Sequence, residues 1–246
     1  MKEIIQVNGI VLSSMPIGDY DNRLVILTKE RGKISVFAKG ARKMHSVYMA
    51  ARPLVFGKFE IFEGRNSNTL TAVNVVDYFD ELSKDPNGIY YAFYFMELAD
   101  YFCQESLDES QMINLLYVSF KALVNPNISN ELIKLIFEAR AMMINGVFPD
   151  VFTCMRCRAK ENIRFFDVFK GGMYCAACEQ NAHNGVGLLE STVYTLQYIS
   201  SSNISKLYTF SVSEEVLLEM KMVMKKLKML NIDVTIKSEE MLSLAF

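Results

Sequence analysis

Four of the five cysteines in this chain fall in one short segment, CMRCRAKENIRFFDVFKGGMYCAAC, residues 154–178. They form two CxxC pairs with 17 residues between them. That spacing lies within the range of a four-cysteine zinc site. Each CxxC knuckle sets two sulfurs on one side of a tight turn, and two knuckles on facing hairpins complete a tetrahedron around the metal. Gly171-Gly172, just before the second knuckle, supplies backbone freedom where the chain must turn sharply. The feature constrains folding because metal-binding energy, about 10–16 kcal/mol in small zinc modules, becomes folding energy for the segment that carries the ligands.

Other uses of the thiols fit less well. A redox CxxC appears once, at a helix N-terminus after a strand. Two disulfides require an oxidising compartment. A zinc deaminase needs an H-x-E element upstream of its cysteines, and neither His45 nor His183 sits in that pattern. His183, five residues after Cys178, is an alternative fourth ligand. The expected ligands are Cys154, Cys157, Cys175 and Cys178, holding one structural Zn2+. Four thiolates leave no open coordination position, so such a metal braces the fold and does no chemistry. The filled site is a net dianion, which Arg156, Arg158, Lys160, Arg164 and Lys170 around it can offset; a nucleic-acid contact is the sharper use of the same five. Cys103 stands alone in an apolar helical pattern and reads as a buried structural thiol.

The start of the chain has no apolar segment of signal-peptide type, and no apolar run reaches the ~18 residues a membrane span needs. A cytoplasmic, nucleoid-associated protein with reduced thiols and no membrane partner is the expectation.

Five apolar, β-branched runs recur before residue 80, at 4–14, 23–30, 33–40, 54–64 and 69–79. A long connection, 40–53, separates the third from the fourth. Five strands with that spacing suit an OB-fold barrel, with an SH3-like barrel as the alternative. Helices follow. Asp85-Pro86 offers a cap and a first-turn proline. A second helix covers about 108–124, and a third starts after Ser129 and stops at Asn145-Gly146. Beyond the cysteines, helices are expected near 190–200 and 213–230, the latter with a Ser211/Glu214 capping box. On that helix Leu217, Met220, Met224 and Leu227 read as core, and Lys221, Lys225 and Lys228 as a solvated face. The fold class is α+β: an N-terminal five-stranded OB-fold barrel followed by a mainly helical domain with an inserted four-cysteine zinc-binding module. The expected segments are 1–80, 81–150, 151–183 and 184–246.

Charge is unevenly spread. Between residues 29 and 58 eight basic residues face one acid, Glu30, inside a chain of net charge −2. Phe37, Tyr48, Phe56 and Phe59 are interleaved with them. Barrels that bind single strands track the backbone with cations and stack bases on aromatics. The plainer possibility is a solvated charged surface with every Phe turned into the barrel. No nucleophile–base pair, phosphate-binding glycine loop or open metal site suggests an enzyme.

The strings FAKGARK (37–43), FEARAMMINGVFPDVFTCMRC (137–157) and FFDVFKGGMYCAAC (165–178) resemble the bacterial RecO family of recombination mediators. The resemblance implies an N-terminal OB-fold, a helical domain and, in many members, zinc. It implies a non-enzymatic protein that binds single- and double-stranded DNA and anneals complementary strands. Such a protein works with RecR to load RecA onto strands coated by single-strand-binding protein, and docks that protein's acidic, apolar C-terminal tail. Lys39 and Arg42 match the family's basic KG-x-R element. Arg31, Lys33, Lys43 and Arg52 join them by proximity of charge, and Lys121, Lys134 or Arg140 could meet the tail's carboxylate. A reading from a different class makes the chain a zinc-ribbon interaction module whose barrel docks a protein.

Overall fold

From Gly32 to Ala38 buried and half-buried positions alternate strictly, the period of a strand with one face on a core. Ile34, Val36 and Ala38 turn inward, and Lys33, Ser35 and Phe37 turn outward. The same logic builds four more strands, and they close on one another. The computed structural model describes residues 3–43, 51–182 and 185–245. Five strands, β1 (Glu3–Ile17), β2 (Asp21–Thr28), β3 (Gly32–Ala38), β4 (Phe56–Glu63) and β5 (Asn68–Asp77), form a closed barrel in the order β1-β2-β3-β5-β4. Strand β1 is long enough to pair twice, its first part with β4 and its second with β2. A register shift between Val11 and Ser13 lets it bend between the two. Only β3 and β5 run parallel. The barrel is OB-like, and Val7, Val11, Leu24, Ile26, Val36, Phe59, Ile61 and Leu70 fill it.

The chain divides into two compact units, Met1–Val124 with Ser238–Phe246, and Asn125–Lys237. In the first, the barrel is followed by α1 (Asp80–Lys84), α2 (Pro86–Phe102) and α3 (Ser110–Leu123). Asp85 caps α2 by accepting from the N–H groups of Asn87 and Gly88, with Pro86 at the first helical position. Phe56 and Phe79 meet Tyr117 and Phe120 of α3 in a ring cluster with centroids 5.2–6.2 Å apart, mostly edge-on. The last described helix, α7 (Lys237–Ala245), returns to this unit. The Glu97 carboxylate on α2 accepts both the N–H and the hydroxyl of Ser238 at its start.

The second unit holds α4 (Asn130–Ile144), a small sheet of β6 (Ile163–Asp167), β7 (Gly172–Cys175) and β8 (Gly185–Gly187), then α5 (Glu190–Ser201) and α6 (Glu214–Asn231). Ser129 caps α4 as expected. Helix α6 differs: its cap is Ser213, which accepts from Val216 N–H, because the helix starts two residues later than a Ser211 cap requires. Met220, Met224 and Leu227 are buried. The lysine face is not simply solvated. Lys221 pairs with Glu131 at 2.6 Å, and Lys228 reaches the buried Glu138 carboxylate at 2.8 Å. No helix among the described residues is long and apolar enough to cross a membrane.

Candidate nucleic-acid interface and candidate metal centre

The cations of the barrel sort by their partners. Arg31 Nη1 lies 2.7 Å from Glu63, Lys33 Nζ 3.0 Å from Asp100, and Arg52 Nη2 3.2 Å from Asp80 with its guanidinium over the Tyr78 ring. Each therefore carries its own carboxylate. Lys39, Arg42 and Lys43 are exposed and, among the described residues, pair with none. They stand on the loop that leaves β3, and the turn between β1 and β2 holds that loop in place. Asp21 accepts from Gly40 N–H at 2.7 Å, Arg42 N–H donates to Tyr20 O at 2.9 Å, and the Arg42 guanidinium donates to the Asp19 carbonyl. Lys43 Nζ sits 5.4 Å above the Tyr20 ring. Asp19 and Asp21 are the acids of this corner, and Asp21 is spent on the loop backbone.

A cleft of about 430 Å3 opens on the outer face of β2 and β3. Arg23, Arg31, Lys33, Ile34, Ser35 and Phe37 line it, with Asn66 and Ser67 of the β4–β5 turn and Asn68 at the start of β5. Glu63, Glu105 and Ser106 complete the lining. Arg23 stands opposite Phe37 in register, and its Nε donates to Ser35 Oγ at 2.7 Å. The α2–α3 loop is stitched to the β2–β3 turn by Lys33 N–H to Gln104 O and Ser106 N–H to Arg31 O, at 3.0 and 2.9 Å. Gly32 permits this approach. It has φ +61°, and a Cβ there would stand 1.9 Å from Gln104 O.

The expected cationic residues are thus partly brought together. Lys39, Arg42 and Lys43 form one corner, Arg31 and Lys33 share the cleft, and Arg52 is bonded near the start of α1. Of the expected aromatics, Phe56 and Phe59 are buried and Phe37 lines the cleft; Tyr48 lies outside the described residues. The sequence reading missed Arg23 and the run Asn66–Asn68. Strand alternation, which puts Arg23 on the face of Phe37, was the signal for the former. Lys121 is bound to Asp77 at 2.7 Å and Lys134 lies 3.7 Å from Glu138. Arg140 is half-buried and its Nη1 donates to the carbonyls of Ile199, Ser200 and Ser202 at the end of α5. Burial lowers the Arg140 pKa from its ordinary value.

In the second unit the two knuckles converge. Cys154 and Cys157 sit on a turn closed by Arg158 N–H to Cys154 O at 3.0 Å. Cys175 ends β7, and Cys178 lies in the 3₁₀ turn Ala176–Asn181. Met155 N–H donates to Met173 O at 2.8 Å, tying the knuckles together. Gly172 makes room for this, since a Cβ there would meet Met155 Sδ at 1.9 Å. All four sulfurs lie within 4.8 Å of one another, with Cys157 and Cys175 3.6 Å apart. A tetrahedron with metal–sulfur bonds of about 2.3 Å has corners ~3.8 Å apart, so the cluster fits a metal ion. Burial works against the Cys154 thiolate, yet backbone N–H groups of Cys157, Cys175 and Arg156 overcome it and draw the thiol down to about 6. Arg156, Arg158, Lys160, Arg164 and Lys170 are all exposed around the cluster. His183 lies outside the described residues. Cys103 is buried, and burial with Glu109 close by pushes its thiol well above the ordinary range, as a structural thiol requires.

A closed OB-like barrel with a cationic corner, joined in one chain to helices and a four-thiol cluster able to hold a metal, defines a modular protein built on an OB-like barrel. Residues 1–79 match the family profile described as Recombination protein O N terminal, and residues 83–238 match Recombination protein O C terminal. The chain belongs to the Recombination protein O family. It is 29% identical over 218 residues to DNA repair protein RecO of Acetivibrio thermocellus, covering 88% of this chain and 87% of the relative. It is 30% identical over 211 residues to the protein of the same name from Caldicellulosiruptor bescii, with 85% of each covered. The Alkaliphilus metalliredigens protein, also named DNA repair protein RecO, is 27% identical over 232 residues, 94% of each chain.

Proposed function

We propose that this chain is a non-enzymatic DNA-binding mediator of recombinational repair. It binds and anneals single strands, also binds duplexes, and helps to load recombinase onto strands coated by single-strand-binding protein. The observation that carries this reading is the corner of Lys39, Arg42 and Lys43: three exposed cations without carboxylate partners among the described residues, on a loop fastened by Asp21 and Tyr20. Phosphates would take the places that carboxylates hold at Arg31, Lys33 and Arg52. Annealing follows from the same charge. A cationic surface lowers the repulsion between two phosphate backbones without reading sequence, so any complementary pair can meet on it.

Family membership adds the remaining parts of the reading. RecR and the acidic, apolar tail of single-strand-binding protein are its protein partners, and a nucleoid-associated cytoplasmic location suits them. The metal is Zn2+, since four thiolates at tetrahedral spacing suit its softness and geometry, and a saturated site makes it a brace. Lys39→Ala combined with Arg42→Ala tests the reading by oligonucleotide titration at several salt concentrations. The double variant should bind a single strand more weakly and flatten its salt slope by about 1 to 2 units. A slope equal to that of the parent protein would favour a barrel that docks protein instead.

A further inference from the structure

We propose that Cys157 is a peroxide-reactive site whose oxidation to a disulfide with Cys175 releases the metal, and that thiol reductants reverse the change. The inference rests on the metal reading above and is independent of the DNA contacts. Its first support is unequal access. Cys154, Cys175 and Cys178 are buried, at 0, 4 and 7% exposure, whereas Cys157 is exposed. Buried structural thiols are inert, and a reactive one is partly open to solvent in electropositive surroundings. Cys157 has both: Arg156 and Arg158 flank it, and both are exposed. Cysteine ligands of a bound metal are deprotonated at neutral pH, so the filled site presents one nucleophilic sulfur at the surface.

The second support is a partner within reach. Cys157 Sγ lies 3.6 Å from Cys175 Sγ, across the two knuckles. The Cys157 thiolate attacks one oxygen of hydrogen peroxide, the O–O bond breaks, and hydroxide leaves to be protonated to water. Cys157, oxidised by two electrons, is then a sulfenic acid. The Cys175 thiolate attacks the Cys157 sulfur in turn. The S–S bond forms, the S–O bond breaks, and a second hydroxide leaves to become water. Peroxide is the sole oxidant, and both its oxygens end as water. The thiolates of Cys154 and Cys178 that remain are too few for a closed tetrahedral site. The third support is strain. Arg158, directly after Cys157, has φ +61°, a left-handed backbone that such a residue holds only where the surrounding structure enforces it. Opening of the knuckle relieves that strain.

The test treats the zinc-loaded full chain with hydrogen peroxide and follows released zinc with a chromogenic chelator. About one ion per chain should appear. Thiols counted in the denatured chain should fall by two of the five. In a parallel reaction dimedone should label Cys157 first, with the buried Cys103 as the unreactive control. Glu161 separates the knuckles in sequence, so fragments cut there should stay joined until the disulfide is reduced. Dithiothreitol with added zinc should restore the site. Cys157→His removes the thiol but keeps a ligand, since three cysteines and a histidine also make a closed zinc site. Under peroxide it should release zinc at least about tenfold more slowly, because its remaining thiols are buried. If Cys157→His fails to fold or to hold zinc, the dimedone map of the parent chain decides alone. Zinc retained under peroxide, first labelling at another cysteine, or a disulfide within one knuckle would overturn the peroxide site while leaving the metal reading intact. So would sulfoxide at the exposed Met155 without thiol loss, or a Cys157→His chain as sensitive as the parent. A parent chain that holds no zinc would overturn both.

Discussion

Asp77 and Lys121 illustrate how one contact sets two charges. Burial raises the Asp77 pKa, but the Lys121 ammonium at 2.7 Å and the Phe79 N–H bring it below the ordinary carboxylate value. The Asp77 bond raises Lys121, which also lies 4.8 Å above the Phe79 ring. The Asp77 contribution is complete above its unfolded pKa of about 3.9 and is lost as pH falls through the lowered folded value. The Lys121 contribution is complete below about 10.4 and is lost as pH rises through the raised folded value. Both are present at neutral pH. In Lys121→Ala the Asp77 carboxyl should titrate at higher pH, as followed by carbon-13 shifts; an unmoved titration would remove Lys121 as the cause. Pairs of this kind are hard to read from sequence. Lys228 and Glu138 are 90 residues apart, and helical periodicity alone puts Lys228 in water.

Elements were legible where their signals are local. The caps Asp85 and Ser129, the stop at Asn145-Gly146, and the five barrel strands are written in neighbouring residues. The CxxC spacing likewise foretold a four-sulfur cluster. Helix α1, helix α7 and strand β8 escaped notice, because each is short and held by packing or pairing with distant residues. The cleft escaped for the same reason: its walls come from β2, β3, the β4–β5 turn and the α2–α3 loop. Within the sheet β7-β6-β8 the core is small, so the metal should supply much of its stability. Cys175→Ser should lower metal content from about one ion per chain to nearly none, read by atomic absorption. Amide exchange of Phe166 and Met173 should rise together with that loss. A metal-free variant with unchanged exchange would show that the ion is not a brace.

At the scale of the whole molecule, the first unit is discontinuous: Met1–Val124 is completed by Ser238–Phe246. Glu97 binds the start of α7 twice, and Leu242 on that helix is buried. Removing residues 238–246 should therefore cost about 3 kcal/mol, from a charged hydrogen bond and a buried leucine, and lower the melting temperature by roughly 6–12 °C. A scanning-calorimetry trace equal to that of the full chain would show that α7 contributes nothing. The order of synthesis gives this return a further meaning. As the protein leaves the ribosome, the barrel emerges early, but the helix that finishes its unit follows only after Asn125–Lys237. At ~5–20 residues per second that interval is on the order of 10 s. The nascent first unit spends it without α7, so its final packing waits until nearly the whole chain has been made.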